Sequence, residues 1–85
     1  MTTKQQRLLS GALQELASRY NAPQVLNLKN AVQESFEDNE SDSAETLGVK
    51  LGDVVLNSHL IGMTDDKKVA FYTYWTTAAG EIKSA

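Results

Sequence analysis

Apolar residues along this chain recur mostly at spacings of three and four, the period of helices that bury one face. In the first segment, TKQQRLLSGALQELASRY, Leu9, Leu13, Leu16 and Tyr20 fall four, three and four apart, and Leu8, Ala12 and Ala17 widen the stripe. Thr3 followed by Gln6 fits a capping box, in which hydroxyl and amide each satisfy a backbone donor at the helix start. Gly11 interrupts this helix at a cost of about 1 kcal/mol relative to alanine, which suggests a close helix approach there. Asn21-Ala22-Pro23 ends the segment and opens the next, because a first helical turn does not use the donor proline lacks. Val25, Leu28, Val32 and Phe36 then follow at three, four and four, predicting a second helix, with a short strand at 24–28 as the alternative.

A loop is predicted at about residues 38–42, where Asn, Asp and Ser side chains compete for backbone hydrogen bonds. Asp42 or Ser43 then caps a third segment, in which Leu47, Leu51, Val54, Val55 and Ser58 share a face. Gly48 and Gly52, four apart, either form a groove for a neighbouring helix or break the segment in two. The last segment contains VAFYTYW, residues 69–75, whose composition favours a strand. Two local signals oppose that preference. Thr64-Asp65-Asp66 is a helix start, a hydroxyl cap followed by acids at the positive end of the helix dipole. Phe71, Trp75, Ala78 and Ile82 continue at four, three and four. The expected fold is therefore all-α, a small bundle of about four short helices. The alternative is an α+β fold with a C-terminal β-hairpin at about 54–77. Eighty-five residues allow one domain, 1–85. At 41% hydrophobic residues its core is modest, so the surface buried in a homodimer would add to its stability.

Composition removes several functions. With no cysteine, disulfide and thiolate chemistry are excluded, and a metal could be held only by His59 and carboxylates. MTTKQQRLL has no apolar signal-peptide core, and no uncharged run reaches the ~20 residues of a membrane-spanning helix. A cytoplasmic protein without a membrane partner is expected. The net charge is −3, and the eight basic residues are scattered, Lys67 and Lys68 forming the one adjacent pair. Nucleic-acid binding, which draws much of its affinity from neutralised phosphates, is correspondingly disfavoured. No nucleophile elbow, phosphate-binding loop or dinucleotide fingerprint is present, so no catalytic residues and no cofactor are assigned. His59, in VVLNSHLIG, is read as a half-buried structural residue.

Two stretches remain as candidate sites. ESFEDNESDSAE, residues 34–45, carries six carboxylates in twelve positions (Glu34, Glu37, Asp38, Glu40, Asp42 and Glu45) with no lysine or arginine among them. Asp38, Glu40 and Asp42 match the first three ligand positions of a calcium-binding EF-hand loop. Ser43, however, stands where the turn needs glycine, and Val49 where it needs a bidentate glutamate, so no metal is assigned. Such a run suits a basic protein partner, through steering as much as affinity. In the aromatic cluster, Phe71 and Trp75 face inward on a helix, leaving Tyr72 and Tyr74 as candidate exposed contacts.

SAETLGVKLGDVV resembles the helix-turn-helix of bacterial and phage repressors. The resemblance makes Ala44 the small residue of the first helix, Gly48 the turn glycine and Val54 the core residue of a recognition helix over 50–59. Asn57 departs from the pattern, standing where a further apolar residue is expected, and in a helix with no Arg or Gln it is the side chain able to read a base edge. The function expected is that of a small acidic, non-catalytic accessory or inhibitory protein, of the kind found in bacteria and phages. It would dock on another protein through the acidic region and exposed tyrosines. A helix-turn-helix regulator using residues 43–60 is the alternative.

Overall fold

The computed structural model describes residues 1–58 and 62–85. Among them are four α-helices, α1 (Thr3–Arg19), α2 (Lys29–Asp38), α3 (Ala44–Leu56) and α4 (Asp65–Lys83), with a 3-10 helix at Pro23–Leu28 between α1 and α2. The all-α bundle expected from the periodicity is the fold. VAFYTYW lies wholly inside α4, so the hairpin alternative does not form. The burial of Phe71, Trp75, Ala78, Ala79 and Ile82 along one face outweighs the strand preference of the individual residues. Thr64 takes the extended backbone of an N-cap, although its hydroxyl makes no capping hydrogen bond. His59, read above as structural, lies outside the described residues.

Local chemistry sets the ends of α1. The capping box is made by Thr2 and Gln5, one residue earlier than the Thr3–Gln6 register expected. Both pairs have the right spacing, and the core selects between them. Gln5 shares the buried face of Leu9, Ala12, Leu13 and Leu16, and its amide donates to the Ile82 carbonyl of α4 at 3.0 Å. At the other end Asn21 adopts φ 50°, a left-handed conformation asparagine tolerates. Ala22 N–H reaches the Ala17 carbonyl at 2.9 Å and Asn21 N–H the Ser18 carbonyl at 3.3 Å, the paired bonds of a Schellman ending. Pro23 then starts a tight 3-10 helix rather than the α-helix expected. Its three-residue turn stacks Val25 and Leu28 toward the core, and α-geometry resumes at Lys29.

The most extensive packing is between α3 and α4. Gly48 and Gly52 make it possible. A Cβ on Gly48 would sit 2.6 Å from both the backbone Cα and N of Thr76, and one on Gly52 would sit 2.8 Å from the Tyr72 ring. Neither glycine breaks the helix, and together they form the groove that seats α4. The repressor-like turn at Gly48 is therefore absent. Residues 44–56 are one unbroken helix, and its Leu47, Leu51 and Val55 are spent on the core. Gly11 behaves differently: nothing lies within 4 Å of the Cβ it lacks, so it mediates no close approach within the fold. Trp75, Phe36 and Phe71 are the largest fully buried side chains. The Tyr20 ring meets Phe71 edge-on at 6.0 Å, tying α1 to α4.

Candidate partner-binding surface

The acidic run forms the corner between α2 and α3. Ser43 caps α3, its hydroxyl accepting from Thr46 N–H at 3.2 Å. Asn39 closes α2, its amide donating to the Ser35 carbonyl at 2.8 Å. Lys50, on the second turn of α3, reaches back over the corner. Its ammonium donates to the Asp42 carboxylate at 2.6 Å and to Asn39 Oδ1 at 2.9 Å. Lys83, at the end of α4, donates to the Asp42 carbonyl. The corner is thus fastened from the following helix by Lys50 and from the far end of the chain by Lys83.

These cations divide the six carboxylates. Asp42 is partly buried and paired with Lys50. Glu37 pairs with the α-amino group of Met1 at 2.8 Å, and that hydrogen bond and charge hold its carboxyl below the usual carboxylate range. Glu34, Asp38, Glu40 and Glu45 are exposed, and none has an ion-pair partner among the described residues. Glu34 and Asp38 are four apart on one ridge of α2, Glu40 sits in the turn, and Glu45 is in the first turn of α3. No three His, Asp or Glu side chains among the described residues are grouped to hold a metal ion.

The two tyrosines expected to be exposed are half-buried. Tyr72 lies against Gly52, and its hydroxyl donates to the Asp53 carboxylate at 2.5 Å. Burial, then that hydrogen bond and the Asp53 charge, push its pKa up to about 12. The Tyr74 hydroxyl donates to the Ala12 carbonyl at 3.3 Å, and the Arg19 guanidinium sits 5.0 Å over its ring. Burial chiefly raises its pKa, the Glu15 charge adding to this and Arg19 opposing it. Both hydroxyls are engaged within the fold because α3 and α1 offer an acceptor beside each ring, which the sequence near 72–74 does not contain.

Two features had no signal in the sequence. The indole Nε1 of the fully buried Trp75 has no hydrogen-bond partner. Two open grooves flank α1 and share Arg7 and Gly11. Compared with protein-family models, curated proteins and solved structures, the chain has no match. No helix among the described residues is long and apolar enough to cross a membrane.

Proposed function

We propose that this chain is a non-catalytic cytoplasmic binding protein, an accessory or inhibitory factor that docks on a basic surface of another protein through the α2–α3 corner. The observation that carries this reading is the division of the carboxylates. Lys50 and the α-amino group of Met1 engage Asp42 and Glu37, while Glu34, Asp38, Glu40 and Glu45 stay exposed and unneutralised on a fastened corner. A corner already fixed loses less freedom on binding. Its uncompensated charge accelerates encounter with a basic partner and repels acidic ones. Tyr72 and Tyr74, with hydroxyls satisfied internally, contribute ring edges rather than polar contacts.

The test replaces the four free carboxylates together, Glu34→Gln, Asp38→Asn, Glu40→Gln and Glu45→Gln. Exposed substitutions of this kind each change stability by no more than about 0.5 kcal/mol, so the fold persists by circular dichroism. The protein captured by the wild type at low salt should be lost from the variant, and its retention by the wild type should fall as salt rises. Equal capture by both forms would show the corner to be only a solvated loop.

A further inference from the structure

The face of α1 around Gly11 involves none of the acidic corner, and no neighbour lies within 4 Å of the Cβ that Gly11 lacks. The two grooves that meet there differ in chemistry. One, of about 350 Å³, is lined by Thr3, Gln6, Arg7, Ser10, Gln14 and Lys29 around Gly11, with no carboxylate and no large apolar side chain. Neither Arg7 nor Lys29 has an ion-pair partner among the described residues. The other, of about 270 Å³ between α1 and α4, is lined by half-buried Leu8 and Tyr74 over the buried Ala12, Ala78 and Ile82, with Arg7, Thr77 and its one carboxylate, Glu81, also on its lining. Gly11 lies where they join. Unlike Gly48 and Gly52, it is required by no neighbour, and alanine there would strengthen the helix. What the glycine does provide is bare backbone linking a cationic groove to an apolar one.

We infer that the two grooves are halves of one site for a small amphiphilic anion. Its carboxylate or phosphate head lies between Arg7 and Lys29, and its apolar chain crosses Gly11 into the α1–α4 groove. Glu81 sets the orientation, since it repels an anionic head from the apolar half. The two grooves share Arg7 and Gly11. Both are open to solvent, so the expected Kd is on the order of a millimolar.

Amide chemical shifts of the whole chain would be followed while octanoate, octyl phosphate, octanol or inorganic phosphate is added below aggregating concentrations. The amphiphilic anions should shift residues of both grooves in a saturable way, the tighter of the two naming the head group. Octanol should bind at least about tenfold more weakly, and inorganic phosphate should shift only the cationic groove. Arg7→Gln with Lys29→Gln should reduce octanoate to the affinity of octanol. Gly11→Leu should block both anions while leaving the circular dichroism spectrum intact. The inference is overturned if no saturable shift occurs, if octanol matches octanoate, if shifts stay within one groove, or if the double variant binds octanoate undiminished.

Discussion

Replacing Gly48 by alanine sets two effects of opposite sign against each other. In a helix interior alanine is favoured over glycine by about 0.8–1 kcal/mol. Against that, the added methyl would lie 2.6 Å from Thr76 Cα and N, where carbon atoms prefer about 3.5–4.0 Å. The obstacle is backbone, so no rotamer change relieves it, and α3 must move away from α4 by roughly 1 Å. Overpacking of this kind costs typically 1–3 kcal/mol, and this contact is at the high end because α3–α4 is the main interface. The net expectation is destabilisation by about 1–2 kcal/mol, a fall in Tm of roughly 4–16 °C for a domain of this size. Gly11→Ala is the matched control. Nothing lies within 4 Å of its new methyl, so only the helix term remains and Tm should rise by about 3–8 °C. Thermal melts followed by circular dichroism measure both. If Gly48→Ala is as stable as the wild type, or Gly11→Ala is less stable, the assignment of one glycine to packing and the other to an open face is wrong.

Three further outcomes follow from the polar contacts. Tyr72 should ionise near its value of about 12 in an ultraviolet pH titration, and Asp53→Asn should lower that value while leaving the part due to burial. Because the folded pKa is raised, the stability tied to it is complete below about pH 10 and is lost as pH rises toward 12; alkaline melts in which Asp53→Asn leaves that loss unchanged would contradict the contact. Thr2→Ala should cost about 1 kcal/mol as a lost N-cap, and Gln5→Ala should cost more, since it also removes the buried hydrogen bond that ties α1 to the Ile82 carbonyl, leaving that oxygen to the Ala85 N–H; equal urea midpoints would refute the second role. Trp75→Phe should cost well under the ~3–5 kcal/mol of Trp75→Ala, because the indole N–H it removes is already unpaired. Denaturant unfolding that gives the two variants equal losses would show that the indole does more than pack.

By itself, the sequence determined that the chain is helical and where α1 stops and α3 and α4 begin, but not the 3-10 turn that delays α2 to Lys29. The spacing of Phe71, Trp75, Ala78 and Ile82, the proline after Asn21 and the serine before α3 act within a few residues, over the range in which hydrogen bonds form and side chains share a face. It also located the acidic corner, which is a property of adjacent residues. What only the tertiary structure decided involves partners far apart in the chain. The core chose Gln5 over Gln6 because Ile82 lies above it. Thr76 made Gly48 a packing surface rather than the turn that the repressor-like pattern places there. Lys50, together with the α-amino group of Met1, sorted six apparently equivalent carboxylates into two engaged and four free. Asp53 and Ala12 took the tyrosine hydroxyls. The grooves beside Gly11 arise because α2 and α4 pack on either side of α1, bringing Lys29 to one and Ile82 to the other. Periodicity specifies which face of a helix is buried. Which charge or methyl group it then meets depends on how helices distant in sequence are packed, because electrostatics and steric fit act across space.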